Sequence, residues 1–177
     1  MPGKFYPQAK MTIPNEKPYR LEDLLKLFFG ESPKNARVVT ARVLLETIRK
    51  EMPKGWPAEN WPELVIKAMM VYYPDAEALL EYYHEIKWTE KKSCIPKLLV
   101  KKAKELGLEG EGERKARGRL VDLFTVYKGH YSVVTKILRE AGLVKKVNGY
   151  YQLSDEFERI LEGIAEFWRY WRKGKAE

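Results

Sequence analysis

Residues 128–153 read KGHYSVVTKILREAGLVKKVNGYYQL, and the fold is read outward from this stretch. Gly129 predicts the end of a preceding helix. Val134, Ile137, Leu138 and Ala141 then recur at helical spacing until Gly142 stops the run. Two β-prone segments follow, 144–147 and 150–153, on either side of Asn148-Gly149. Asn-Gly in that setting predicts a hairpin, because a type I′ turn needs positive φ at both central residues. The expected order is a short helix, then a hairpin.

The two faces of that helix differ in chemistry. At about 100° per residue, Val134, Ile137, Leu138 and Ala141 share one stripe, while Ser132, Lys136 and Arg139 form a row on the opposite side with Thr135 beside it. Arg and Lys can read guanine edges in a major groove, and Ser and Thr can bond bases or phosphates. The hairpin adds Lys145, Lys146, Asn148 and Tyr150, a basic tip with aromatics.

The run LREAGLVKKVNGYYQLS, residues 138–154, resembles the end of the recognition helix and the wing of winged helix-turn-helix DNA-binding domains. The resemblance lies in the C-terminal half and implies that helix 130–142 enters a major groove while wing 144–153 touches the backbone or minor groove. Carried over by position, it makes Tyr131, Ser132, Thr135, Lys136 and Arg139 groove contacts, and Lys145, Lys146, Asn148 and Tyr150 wing contacts. Arg117, Arg119 and Lys128, on the helix expected just before, join them as DNA-binding candidates. Where the family has a short first strand and a compact second helix, this chain has the loop 107–112 and the basic run 114–119. Winged helices that bind only proteins share the same helix and hairpin. The implied function is double-stranded DNA binding, as a transcriptional regulator or a replication or maintenance factor of an archaeal-type genome or mobile element. The alternative is a protein-interaction module of a transcription or replication assembly without DNA readout.

Charge is distributed to match. Residues 1–90 hold 13 Lys/Arg and 13 Asp/Glu, and residues 91–177 hold 20 and 12, so the whole formal +8 lies in the half with the winged-helix signature. Neutralising phosphates releases counterions, and Lys91 to Lys104, Arg114 to Arg119, Lys128 and Lys145-Lys146 are the sites that offer this. A lysine-rich helix face can also be merely solvated.

Composition bounds the remaining classes. The 177 residues suffice for one or two domains with a core, and 45% hydrophobic content argues against a disordered chain. No apolar run approaches a membrane span and the start MPGKFYPQAK lacks a secretory apolar core, so a cytoplasmic protein is expected. Cys94 is the single cysteine and reads as a small hydrophobe. With only His84 and His130 beside it there is no zinc-ligand spacing, and neither metal nor cofactor is expected. Abundant Lys, Glu and Arg with two Gln and four Asn is the bias of hyperthermophile proteins.

The fold class read from these patterns is mainly α: an N-terminal helical bundle, then a winged helix-turn-helix with one β-hairpin, then a long C-terminal helix. Residues 1–18, with four prolines, read as an extended or disordered arm. An all-helical domain is expected over 19–90, with helices at 19–29, from Ser32-Pro33 to about Met52, from a capping box at Asn60-Trp61-Pro62-Glu63, and at 75–86. That domain is a possible site for a protein partner. A boundary is expected at 88–93, and the winged-helix domain at 91–154 then has helices over 93–106 and 114–127 before the recognition helix. Residues 155–177 form a packing or dimerisation helix, with Phe157, Leu161, Ile164, Trp168 and Trp171 spaced 4-3-4-3. In many winged-helix proteins such a helix makes a homodimer, and the alternative is docking on the chain's own helices. In an interaction module Trp56, Trp61, Trp168 and Trp171 would be the hot spots.

Catalysis is not expected. Pro74-Asp75 with Glu85-Ile86-Lys87, or with Glu113-Arg114-Lys115, mimics the spacing of Mg²⁺-dependent nucleases, but Asp75 to Ile86 has helical periodicity where that chemistry uses adjacent strands. His84 has no evident nucleophile partner, and no P-loop, dinucleotide loop or G-x-S-x-G occurs.

Overall fold

The computed structural model describes residues 20–32, 34–106 and 114–174, and the side chains of 114–119 fall outside that description. The expected N-terminal arm and the connector 107–113 therefore lie outside the described residues. The chain is mainly helical: α1 (Leu21–Phe29), α2 (Ala36–Lys50), α3 (Trp61–Met70), α4 (Glu77–Ile86), α5 (Ile95–Leu106), α6 (Arg114–Glu140) and α7 (Glu156–Arg172). One small antiparallel sheet joins β1 (Trp56–Pro57), β2 (Val144–Val147) and β3 (Tyr150–Leu153) in the order β1-β3-β2. The hairpin forms as its turn residues require, with φ of 50° at Asn148 and 82° at Gly149, and Val144 opposite Leu153.

The helix break expected at Gly129 does not occur, and this is the main correction. The helices read at 114–127 and 130–142 are one helix, α6, so no turn separates them. Leu120, Phe124, Tyr127, Tyr131, Val134 and Leu138 are all buried, and they repeat at 4-3-4-3-4 straight through the glycine. A mid-helix glycine costs about 1 kcal/mol relative to alanine, whereas burying each large apolar side chain returns about 1.5–3 kcal/mol, so tertiary packing overrides the local signal.

The sheet holds the second surprise. β1 lies far upstream in sequence yet pairs with β3, Trp56 opposite Tyr151 and Pro57 opposite Tyr150. Gly55, at φ 84°, brings the chain in so closely that a Cβ there would sit 2.2 Å from the Tyr151 carbonyl oxygen. Gln152 closes the junction, its side-chain amide donating to the carbonyls of Pro53 and Lys54 at 3.1 Å each.

α6 packs against α2, α3 and α5, and buried residues from Leu25 to Tyr151 form one core. The boundary expected at 88–93 separates no two cores: α4 and α5 pack on each other across it, and helices from both halves clasp α6. Local details also shift. α2 is capped by Asn35, whose side-chain oxygen accepts from the Arg37 and Val38 amides at 3.0 and 3.3 Å, rather than by Ser32. Glu63 closes no capping box with Asn60, because its carboxylate is held by the Lys67 ammonium at 2.6 Å. Cys94 is exposed, not a packed hydrophobe, and Trp56 is buried at 7% exposure, so it cannot be an interface hot spot. Among the described residues no helix is long and apolar enough to cross a membrane.

Candidate functional site

The C-terminal half of α6 and the hairpin stand on either side of an open groove of about 720 Å³. Its walls carry Ser132, Lys136 and Arg139 from α6 and Lys145 and Lys146 from β2. All five side chains are exposed. The α6 row from Ser132 to Arg139 covers seven residue steps, about 10 Å at 1.5 Å per residue, which is commensurate with a duplex major groove about 12 Å wide. Gly142, at φ 77°, turns the chain from helix to strand, and the Leu143 amide donates to the Leu138 carbonyl at 2.9 Å to finish the helix. That turn sets the hairpin beside the polar row.

The groove is basic but not uniformly so. Four cations, Lys136, Arg139, Lys145 and Lys146, share it with two carboxylates, Glu140 and Glu156. Lys136 and Glu140 approach to 3.9 Å while both stay mostly exposed, so the pair contributes little and yields readily to a stronger anion. Lys146 lies over the Tyr151 ring at 5.8 Å.

Two of the residues expected to contact a groove face inward instead. Tyr131 is 7% exposed and its ring lies 6.3 Å from that of Trp61. Burial, and then the neighbouring Tyr151, push its phenol well above the usual tyrosine value, so it stays protonated. Thr135 is 8% exposed, and its hydroxyl donates to the Tyr131 and Ser132 carbonyls at 2.9 and 3.1 Å. The reason is the continuous α6: without a break at Gly129, the buried stripe swings toward Tyr131 and Thr135 and leaves Ser132, Lys136 and Arg139 outside. Both residues still line the groove floor.

Asn148 sits at the exposed hairpin tip, and Tyr150 is half-buried with the Lys54 ammonium 5.2 Å above its ring. Lys128 is exposed at the far end of the row, its ammonium 5.5 Å over Trp61. Arg117 and Arg119 belong to the helical backbone of α6, but their side chains lie outside the described residues. Sequence reasoning missed Ala58, and it named Trp61 only as a hot spot of an interaction module; both line the groove, from the turn after β1 and the start of α3. The Asn60-Trp61-Pro62-Glu63 motif marked a helix start, but nothing local indicated that this start would lie against α6.

Away from the groove, Leu161, Ile164, Trp168 and Trp171 are exposed on α7, and Phe157 is half-buried with its ring 5.9 Å from that of Phe28. The alternative of docking against the chain's own helices therefore accounts only for the start of α7. Asp75 lies in a 3₁₀ turn and Glu85 on α4, not on adjacent strands, while Glu113 lies outside the described residues. Among the described residues, no three His, Cys, Asp or Glu side chains gather as a metal site would need. Comparison of the chain with protein-family models, with curated proteins and with solved structures gives no match.

Proposed function

We propose that this chain binds double-stranded DNA, with Ser132, Lys136 and Arg139 of α6 in the major groove and Lys145, Lys146 and Asn148 of the hairpin on the adjacent backbone, as a regulator or a replication or maintenance factor. The observation that carries the reading is an open groove flanked by both basic segments. The architecture supports it as well. A winged helix calls for a short first strand and a compact second helix, and on this reading β1, paired with the hairpin strand β3, and α3 take those roles. On this reading α4, α5 and the first half of α6 are an insertion between the second helix and the recognition helix, which is why the stretch before Lys128 departs from the family pattern.

The uncovered aromatic face of α7 favours a second reading, a winged helix that docks on a protein. Salt separates the two. Binding of fluorescent duplex DNA, followed by anisotropy at several salt concentrations, should weaken steeply as salt rises, and alanine at Lys136, Arg139, Lys145 and Lys146 together should flatten that dependence. Binding that ignores salt, or survives the four alanines unchanged, would refute the assignment. All four side chains are exposed, so the variant keeps its core.

A further inference from the structure

The apolar face of α7 is the largest feature the DNA reading leaves unused. No α7 residue is buried, yet Ile160, Leu161, Ile164, Phe167, Trp168 and Trp171 are large, apolar and 41–60% exposed. With Phe157 they cover an arc of about 120° at 100° per residue, wider than the seam of a two-stranded coiled coil, so one facing helix leaves part of it bare. The base of this face continues onto α1. Phe28 meets Phe157, and Leu24, Leu27 and Phe28 of α1 are half-buried.

Two properties of α7 select its occupant. The apolar positions 157, 160, 161, 164, 167, 168 and 171 are symmetric about Ile164. A twofold axis there sets Phe157 against Trp171, Ile160 against Trp168 and Leu161 against Phe167 of a second copy. The row flanking this face reads Glu158, Glu162, Ala165, Arg169, Arg172, acidic at its start and basic at its end, and its four charged residues are exposed. Antiparallel pairing sets this row beside its own counterpart and brings Glu158 and Glu162 within reach of Arg172 and Arg169 of the other chain, whereas parallel pairing turns it toward Ile160 and Phe167 and makes no such charge pairs.

We propose that α7 pairs antiparallel with α7 of a second copy about Ile164, the Trp168 and Trp171 of each chain seating over Phe157 and the outer side of α1 of the other. The width of the apolar arc follows, because each α7 then has two neighbours, the opposing α7 and the opposing α1. The inference is independent of the DNA reading.

Sedimentation velocity of the full chain over a range of concentrations should show a dimer. Glu158→Lys/Glu162→Lys and Arg169→Glu/Arg172→Glu should each weaken self-association by about tenfold or more, and an equimolar mixture of the two should associate again. None of these positions touches the core, so circular dichroism should be unchanged. In a Cys94→Ser background, mild oxidation should cross-link Ile164→Cys, which lies on the axis. Phe157→Cys alone should not cross-link, and Phe157→Cys/Trp171→Cys should. A monomer at every concentration, charge variants that self-associate as before, or cross-linking of Phe157→Cys as readily as Ile164→Cys would overturn the proposal.

Discussion

Gly55 and Gly149 form a matched pair that tests how the hairpin is anchored. Both have positive φ, 84° and 82°, so an alanine at either place carries a similar conformational penalty, about 1 kcal/mol. Their surroundings differ. A Cβ on Gly149 meets nothing within 4 Å, but on Gly55 it would lie 2.2 Å from the Tyr151 carbonyl oxygen and 3.0 Å from its carbon. The Tyr151 backbone is held between β1 and β2 and cannot move aside without loosening the sheet. Overpacking of this kind adds about 1–3 kcal/mol, giving roughly 2–4 kcal/mol for Gly55→Ala against about 1 for Gly149→Ala. For a chain of this length each kcal/mol lowers Tm by about 2–4 °C. Thermal unfolding followed by circular dichroism should therefore place Gly55→Ala roughly 4–16 °C below wild type and Gly149→Ala only about 2–4 °C below. Equal shifts for the two variants would show that β1 does not press on β3, and would remove the main architectural support for the winged-helix reading.

Further outcomes follow from the site. On a preferred duplex, Arg139→Ala should cost about 1–3 kcal/mol and relax sequence preference, while Lys145→Ala should weaken all sequences alike and lower the salt slope by about 1; anisotropy on two duplexes separates them. Thr135→Val should leave DNA affinity unchanged, because that hydroxyl bonds only to the backbone of its own helix, and a loss comparable to Arg139→Ala would contradict the inward placement. His130 is depressed below its ordinary value of 6.5, first by burial and then by Arg37, so the unfolded chain takes up its proton at higher pH than the folded chain. Its contribution is therefore present above pH 6.5 and falls as pH drops from there through the folded value. Urea midpoints between pH 7.5 and 5 should show that slope, and His130→Gln should flatten it.

The parts of the fold that could be read from the chain are those governed by local geometry. Asn148-Gly149 dictated the turn because few other pairs accept two positive φ values, and the register of β2 on β3 followed. The α7 helix and its apolar seam were visible as spacing alone, but the cap position is Asp155, whose side chain makes no cap bond, and Ser154 one residue earlier accepts from the Glu156 amide at 3.2 Å. The polar row was legible for Ser132, Lys136 and Arg139, since opposite faces of a helix remain opposite wherever the helix begins. It failed for Tyr131 and Thr135 because their side depended on whether a core lay beyond Gly129.

The helical character and the hairpin are set by residues a few positions apart, and the segregation of positive charge is a property of composition, so all three are legible along the chain. Tertiary structure alone decided that α6 runs unbroken through Gly129, that β1 joins β3, that Trp61 lies in the groove and that both halves share one core. The physical reason is common to all four. Each rests on apolar burial or hydrogen bonds between segments distant in the chain, whose combined free energy exceeds the one or so kcal/mol by which a single glycine or cap biases the local backbone.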